Sequence, residues 1–193
     1  MLSITFITAC HSGRLFTTTS ICGAQVSLVT LDIGANDLLG DINPATCQVS
    51  NTFDTDLQTL DNNLTKTILP QLHAALKGKH GQITGSLMLL NYYDPFQNVC
   101  RNSVQNIQEL NRHLARDVEG FGSLVNIFEA FGGAAVPNPN ICNDTWMCSS
   151  SPGPDVHPTT AGYLVMASAL ERSCGLGPFR EQVDQDSTRK PDR

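Results

Sequence analysis

The sequence predicts an α/β fold built on a parallel sheet with helices on both faces. Short apolar runs rich in β-branched residues alternate with amphipathic segments of helical length, and the alternation repeats three times along the chain. Parallel strands need such crossover segments between them. The length of 193 residues fits one domain. We assign that domain to residues 26–176, preceded by an atypical segment at 1–25 and followed by a disordered polar tail at 177–193.

Three strands are expected at residues 26–33, 83–91 and 123–128, each an apolar run bounded by turn-forming residues. Because every crossover returns the chain in the same direction, the carboxyl ends of these strands should share one edge of the sheet. Ligands of such sheets bind beyond that edge. The segments that follow the first two strands, 34–37 and 92–94, are therefore the first candidates for a site.

Three helices are expected between and after the strands. Residues 54–76 and 104–118 place apolar side chains every three or four positions, which gives each segment one apolar face. Pro70 should kink the first helix or split it in two. The last helix should span residues 159–174. The polar residues suited to cap the second and third helices are Asn102 or Ser103 and Thr159 or Thr160.

The charge balance argues against two classes of partner. The chain carries 12 basic and 18 acidic residues, a formal net charge of −6. Nucleic acid and anionic membrane surfaces select clustered lysine and arginine, so we expect neither as a partner. The apolar runs are also too short to cross a bilayer, so no membrane span is expected.

Seven cysteines favour disulfides over a metal site. No Cys-x-x-Cys pair occurs, which argues against zinc, so we expect an oxidising compartment. Cys142 and Cys148 flank a short loop and could close it, while Cys47 and Cys100 each follow a strand end. The sequence leaves the pairing open, and the odd count leaves one cysteine over.

Secretion is the localisation that these features favour. Two Asn-x-Thr sequons, at Asn63 and Asn143, agree with a secreted glycoprotein. The opening residues MLSITFITAC are apolar, but no basic residue precedes them and no small-residue cleavage site follows. They form no convincing signal peptide. We expect either an unusual signal or a longer parent chain whose first residues are missing.

The stretch DIGAND, residues 32–37, turns sharply at the end of the first strand. Gly34 lets the backbone turn tightly and approach a ligand closely. The Asn36 amide could donate to a developing oxyanion, with the Gly34 N–H as a second donor. An ordinary Asx turn is the alternative interpretation.

The stretch PDVHPTTAGY, residues 154–163, places Asp155 two residues before His157, directly ahead of the last helix. A carboxylate beside a histidine fixes the imidazole tautomer and stabilises the imidazolium, as a general base requires. The alternative is a turn aspartate followed by a surface histidine. Three further histidines lie on or beside helices and are interpreted as surface residues: His73, His80 and His113.

Together the two stretches resemble the SGNH, or GDSL-type, serine hydrolase family. DIGANDLL is similar to that family's Gly-x-Asn-Asp block, and DVHPTTAGY to its last block, which holds the catalytic histidine. The two blocks stand about 120 residues apart with two β-α units between them, as in the family. NYYDPF and the cysteine-bracketed CNDTWMC also resemble secreted members. The resemblance covers roughly residues 26–176.

The resemblance implies the family's three-layer α/β/α sandwich, flavodoxin-like in arrangement, and the hydrolysis of carboxylic esters. The implied substrates are lipids, acetylated sugars or small acyl esters. His157 would be the general base, Asp155 its orienting partner, and Asn36 with Gly34 the oxyanion hole. No metal and no organic cofactor is expected, and we expect a monomer.

Two departures from the family pattern stand out. The family places its aspartate three residues before the histidine, where this chain has Pro154. More seriously, the tetrapeptide Gly-Asp-Ser-Leu, whose serine is the nucleophile, occurs nowhere in the chain. The fold would then be incomplete at its amino-terminal end. The nearest substitute is Ser12, after an apolar strand-like run, but only 24 residues separate Ser12 from Asn36. In the family that interval carries a helix and a further strand.

Two functions of different class remain. One is a secreted SGNH-type esterase or lipase that uses Ser12 as its nucleophile, or that has lost its nucleophile. The other is a noncatalytic relative that keeps the fold and binds a glycan or acyl ligand without turnover. A third interpretation is a truncated chain that folds poorly, because a missing central strand would leave unpaired sheet edges.

Overall fold

A four-stranded sheet forms the centre of the fold. The computed structural model describes residues 3–7, 26–78, 80–151 and 153–174. Its strands are, in chain order, β1 (Ser3–Ile7), β2 (Leu28–Asp32), β3 (Ile42–Asn43), β4 (Gln48–Val49), β5 (Ser86–Leu90) and β6 (Ser123–Val125). The main sheet has the order β1-β2-β5-β6, and β3 pairs with β4 in a separate two-stranded ribbon.

Three strands of the main sheet run parallel, as the sequence predicts. β5 pairs in parallel with β2 on one side and with β6 on the other. The three strands therefore end at the same edge of the sheet, which we call the carboxyl edge. It carries the segments that follow Asp32, Leu90 and Val125.

The strand β1 departs from the expected parallel sheet. It pairs with β2 in antiparallel register, with Ser3 opposite Asp32 and Ile7 opposite Leu28. The carboxyl end of β1 therefore lies at the amino end of β2, on the far side of the sheet from the carboxyl edge. Sheets that are otherwise parallel commonly carry one antiparallel edge strand. Ser12 itself lies outside the described residues, as does the tail at 177–193.

Helices of very different length surround the sheet. In chain order the α-helices are α1 (Ala35–Leu38), α2 (Phe53–Asn63), α3 (Leu69–Ala75), α4 (Ser103–Val118), α5 (Ile127–Ala130), α6 (Pro139–Asp144) and α7 (Thr160–Ser173). Two predicted caps are confirmed in position. Asn102 occupies the N-cap of α4, and Thr159 occupies the N-cap of α7, where its hydroxyl accepts a hydrogen bond from the Gly162 N–H.

The helix predicted at residues 54–76 is split in two, as Pro70 led us to expect. A π-helical turn at Leu64–Ile68 separates α2 from α3. The break precedes Pro70, which stands in the first turn of α3. Proline lacks the N–H that would continue α-helical hydrogen bonding, so the backbone changes its pairing one turn earlier.

The strand predicted at residues 123–128 is shorter than expected. It ends at Val125, and the next residue, Asn126, caps α5 by accepting a hydrogen bond from the Glu129 N–H. The apolar residues after Asn126 therefore belong to a helical turn. Apolarity alone does not distinguish a buried strand from a buried helical turn, so only the capping interaction sets this boundary.

The parallel strands send alternate side chains into two apolar cores. One face packs against α2, α3 and α4 and contributes Val29, Leu31, Leu87 and Leu89. The opposite face packs against α5 and α7 and contributes Leu28, Met88, Leu90 and Val125. Burial on both faces explains why β2 and β5 are continuous apolar runs in the sequence.

A third apolar cluster lies beside the carboxyl edge and supports its loops. Its buried members are Ile42, Phe96, Cys100, Val104, Ile107 and Phe128, and the half-buried Val156 packs against them. The disulfide Cys47–Cys100 lies in the same cluster, with the two Cα atoms 5.2 Å apart. The pairing that the sequence offered as plausible is therefore confirmed.

His113 is not the surface histidine that the sequence suggested. Its side chain is only 20% exposed, and its Nδ1 lies 2.8 Å from the Asp61 carboxylate while its Nε2 lies 3.2 Å from Glu109. Arg116 binds the same Asp61 carboxylate at 2.7 Å. These contacts join α2 to α4 by a polar network that the apolar periodicity of the two helices does not indicate.

Asp94 fixes the turn that follows β5. It is fully buried, and its carboxylate accepts hydrogen bonds from the Phe96 N–H at 2.8 Å and from the Ser103 hydroxyl at 2.5 Å. Burial raises the pKa of Asp94 to about 6, although both hydrogen bonds favour the charged form. The folded chain therefore holds the proton on Asp94 more tightly than the unfolded chain does.

We expect Asp94 to make the protein less stable as pH rises. Because the folded-state pKa is raised, protonated Asp94 stabilises the folded protein fully at pH values below the ordinary pKa of 3.8. This stabilisation is lost as the pH rises through about 6. The loss should amount to about 3 kcal/mol of unfolding free energy. Urea denaturation between pH 3.5 and about 7 measures it.

Two variants isolate this contribution. Asp94→Asn should lack it, so its unfolding free energy should depend less on pH than that of the wild type. Ser103→Ala removes a hydrogen-bond donor to the charged Asp94 carboxylate, which should raise the pKa of Asp94 further. The loss of unfolding free energy should then extend to higher pH. A pH dependence in Asp94→Asn equal to that of the wild type would contradict the assignment to this residue.

Candidate functional site

The turn after β2 has the tight geometry expected of its glycine. Gly34 has φ 113°, in the left-handed region, and precedes the single turn of α1. A Cβ atom at this position would meet the Leu60 side chain at 2.7 Å, so both the backbone conformation and the packing favour glycine. The following residues Asn36 and Asp37 are exposed at the carboxyl edge. The main chain of this turn is held by hydrogen bonds from the Asp37 and Leu38 N–H groups to the Gly34 carbonyl, each 3.2 Å.

Asp155 and His157 form a hydrogen-bonded pair in the loop before α7. His157 Nδ1 lies 2.5 Å from Asp155 Oδ1, and the same oxygen accepts the His157 backbone N–H at 2.9 Å. These two hydrogen bonds, the backbone one first, lower the pKa of Asp155. The spacing of two residues, which departs from the family pattern, thus still lets the carboxylate reach the imidazole.

The pair can act as a general base. A carboxylate can only accept a hydrogen bond, so Nδ1 carries the proton and Nε2 is left as the basic nitrogen of the neutral ring. The His157 side chain is 72% exposed and the Asp155 side chain 50%. The imidazole is therefore accessible to a substrate from solvent. No serine hydroxyl within the described ranges is hydrogen-bonded to it.

A disulfide loop supports this pair from one side. Cys142 and Cys148 are bonded, as the sequence offered, and the loop they close contains Trp146. The Trp146 N–H donates to the His157 carbonyl at 3.0 Å, and the Trp146 carbonyl accepts from the Asp155 N–H at 3.1 Å. The backbone of one residue in the closed loop thus binds both members of the pair.

Two consecutive tyrosines after β5 contact the two candidate loops. The Tyr92 hydroxyl interacts with the Asp32 carboxylate and with the backbone of Ala35, next to Gly34. The Tyr93 hydroxyl donates to the Val156 carbonyl at 2.6 Å. Neighbouring residues thus contact the Gly34 turn and the His157 loop, which puts both at the carboxyl edge.

Charge at this edge is predominantly acidic. Burial raises the pKa of Asp32, and the Tyr92 hydroxyl offsets part of that rise. Burial also raises the pKa of Tyr93, and the negative charges of Asp32 and Asp155 add to it. Burial and the charge of Asp32 raise the pKa of Tyr92 in the same way. Both tyrosines therefore remain neutral hydrogen-bond donors. The acidic surroundings disfavour anionic ligands at this position.

Residues that sequence reasoning missed are the ones that hold the loops in place. Tyr92 and Tyr93 stand in the candidate segment 92–94 and Trp146 in the loop between Cys142 and Cys148, but the sequence predicted no role for their side chains or backbone. Their position offered a signal for Tyr92 and Tyr93, which directly follow a buried strand at a ligand-binding edge. For Trp146, the signal was the pair of cysteines that flank it, because a disulfide between them would fix the position of its loop. The hydroxyl groups of Tyr92 and Tyr93 bind Asp32, Ala35 and Val156, which lie far away in the chain, and sequence spacing gives no indication of such contacts.

The described residues hold no group of three or more histidine, cysteine, aspartate or glutamate side chains arranged to bind a metal ion. None of the helices in the described part of the chain has both the length and the apolar character needed to cross a bilayer.

Comparison with known proteins identifies no family for this chain. No protein-family model, no curated protein and no solved structure matches the chain. The structure itself is a mixed α/β fold with a three-stranded parallel sheet.

Proposed function

We propose that the chain is a hydrolase of carboxylic esters of the SGNH type. One observation carries the proposal: the Asp155–His157 pair, with Nδ1 of the imidazole on the carboxylate at 2.5 Å, stands exposed at the carboxyl edge of a parallel sheet. That edge is where such sheets bind ligands. The turn with Gly34 and Asn36 reaches the same edge, and helices on both sheet faces agree with a flavodoxin-like three-layer sandwich.

The proposed reaction is acyl transfer through a serine ester. Nε2 of His157 takes the proton of the nucleophilic hydroxyl as its oxygen attacks the ester carbonyl, and Asp155 stabilises the imidazolium. The Asn36 amide and the Gly34 N–H donate to the oxyanion. His157 then returns the proton to the leaving alcohol, and water hydrolyses the acyl-enzyme by the same route. Ser12 is the candidate nucleophile in this chain.

The substrates proposed are uncharged esters, whether of lipids, acetylated sugars or small acyl groups. Asp155 holds a negative charge beside the imidazole and Asp32 adds one near Tyr93, so a carboxylate or phosphate next to the scissile bond would be repelled. We further propose that the protein is secreted and monomeric. Two disulfides support an oxidising compartment.

A second function is supported by a specific observation. Within the described residues no serine is hydrogen-bonded to His157, and the Gly-Asp-Ser-Leu block is absent from the sequence. The chain would then be a noncatalytic relative that binds a glycan or acyl ligand at the same edge. The two functions share this edge and differ only in turnover.

Hydrolysis of a short p-nitrophenyl ester separates these functions. For an esterase, His157→Ala should lower kcat by at least about 1,000-fold, since the general base is lost. Asn36→Ala should lower kcat by about 100-fold, because one oxyanion donor is removed. The control His80→Ala replaces an exposed histidine of a turn near residue 81 and should retain wild-type kcat.

Ser12→Ala identifies the nucleophile in the same assay. Loss of activity equal to that of His157→Ala would assign the nucleophile to Ser12. Activity that survives in Ser12→Ala would show that another residue is the nucleophile. Absence of turnover in the wild type, with a cooperative melt, would rule out the esterase and favour the binding protein.

Opening the disulfide loop should impair turnover. The variant Cys142→Ser/Cys148→Ser keeps the chain length but releases the segment whose backbone binds Asp155 and His157. We expect a fall in kcat on the order of 10-fold, because small displacements of a general base are costly, and a stability loss of about 2 kcal/mol for so short a loop. Ser150→Ala, in the adjoining exposed segment, is the control. A double variant with wild-type kcat would contradict the supporting role of the loop.

A further inference from the structure

Tyr93 has two anchors that together fix the direction of its hydroxyl. Its ring stacks on Phe131, with centroids 4.3 Å apart and planes within 9° of parallel. Phe131 is itself fully buried in the core between the sheet and α7. The hydroxyl at the other end of the ring donates to the Val156 carbonyl at 2.6 Å. A rigid aromatic ring therefore connects the core of the domain to the loop at its edge.

Val156 is the residue between Asp155 and His157, and the surrounding backbone groups have other partners. The Asp155 N–H and the His157 carbonyl bind Trp146, and the His157 N–H binds Asp155 itself. The Val156 side chain packs into the third apolar cluster. The carbonyl of Val156 accepts the hydrogen bond from Tyr93, which binds the backbone of this loop to the sheet side of the molecule.

The hydrogen bond from Tyr93 to the Val156 carbonyl also restrains the loop that carries Asp155 and His157. The pair it supports is largely exposed, so few other side chains hold the imidazole in place. A loop that is open to solvent loses its geometry unless its backbone is bound to something rigid. Trp146 binds the loop from the outer, disulfide-closed side, and Tyr93 binds it from the sheet. Without Tyr93 the backbone of the loop would lose its hydrogen bond to the sheet side, where only the packing of the Val156 side chain would remain.

We propose that Tyr93 is a positioning residue for the Asp155–His157 pair, acting through its hydrogen bond to the Val156 carbonyl. The proposal rests on the proposed function for its effect on catalysis, because it assumes that His157 is the general base. In this role Tyr93 does not contact the substrate. Removing the hydroxyl should alter the placement of the carboxylate and the imidazole while leaving the ring and the core in place.

Tyr93→Phe is the test variant, and Tyr163→Phe is its matched control. Tyr93→Phe keeps the ring stacked on Phe131 and removes only the donor. Tyr163 lies on α7 and is 57% exposed, so its hydroxyl can be removed without opening the core. Thermal melts of both variants should be cooperative, and all comparisons are made well below the lower midpoint.

The kinetic measurement separates kcat from KM on a p-nitrophenyl ester. We expect Tyr93→Phe to lower kcat about 10-fold with little change in KM, because the base is displaced and substrate contacts are kept. Tyr163→Phe should match the wild type. Retention of wild-type kcat by Tyr93→Phe overturns the proposal.

A second measurement works even if the wild type hydrolyses no ester. The pKa of Asp155 is lowered by its hydrogen bonds to His157, so it reports on the geometry of the pair. Carboxyl ¹³C NMR of aspartate-labelled protein, assigned with Asp155→Asn, measures it. Tyr93→Phe should move this pKa up toward its ordinary value, and Tyr163→Phe should not. An inactive wild type refutes the proposed function, and an unmoved Asp155 in Tyr93→Phe then refutes the positioning role separately.

Discussion

The parallel pairing of β2, β5 and β6 is the constraint on which the rest of the structure depends. It brings the ends of three strands to one edge, so segments far apart in sequence become neighbours there. Side-chain alternation buries both faces of these strands under helices, which leaves the edge as the place where polar groups can be exposed. The candidate site is thus a consequence of the way the sheet is covered.

Rigidity at this edge comes from backbone hydrogen bonds and aromatic anchors rather than from burial. The Asp155–His157 pair is exposed, yet the loop that carries it is bonded to a disulfide-closed segment on one side and to Tyr93 on the other. A general base must be held in place before the substrate arrives, and an exposed side chain cannot achieve this by packing. Stability and candidate function therefore share the same contacts around Val156.

The amino-terminal strand β1 does not have the direction that the proposed chemistry would require of a strand carrying the nucleophile. In the SGNH family a parallel strand delivers the nucleophile to the carboxyl edge, whereas β1 runs antiparallel to β2 and ends on the opposite side of the sheet. The Asp155–His157 pair and the Gly34 turn reach the carboxyl edge regardless of β1, because both belong to the segment from β2 to α7. A protein of this design could therefore keep these two segments at one edge whether or not it keeps a nucleophile.

Although the sequence left the disulfide pairing open, it determined by itself the alternation of strands and helices, the parallel sheet and the proximity of Asp155 to His157. All of these follow from local periodicity, from chain direction or from short spacing. Only the tertiary structure decided the antiparallel direction of β1, the end of β6 at the Asn126 cap, the contact of His113 with Asp61, and the contact of Tyr93 with Val156. The physical reason is that apolar patterns specify which face of an element is buried, whereas individual hydrogen bonds between distant segments depend on how the packed elements meet.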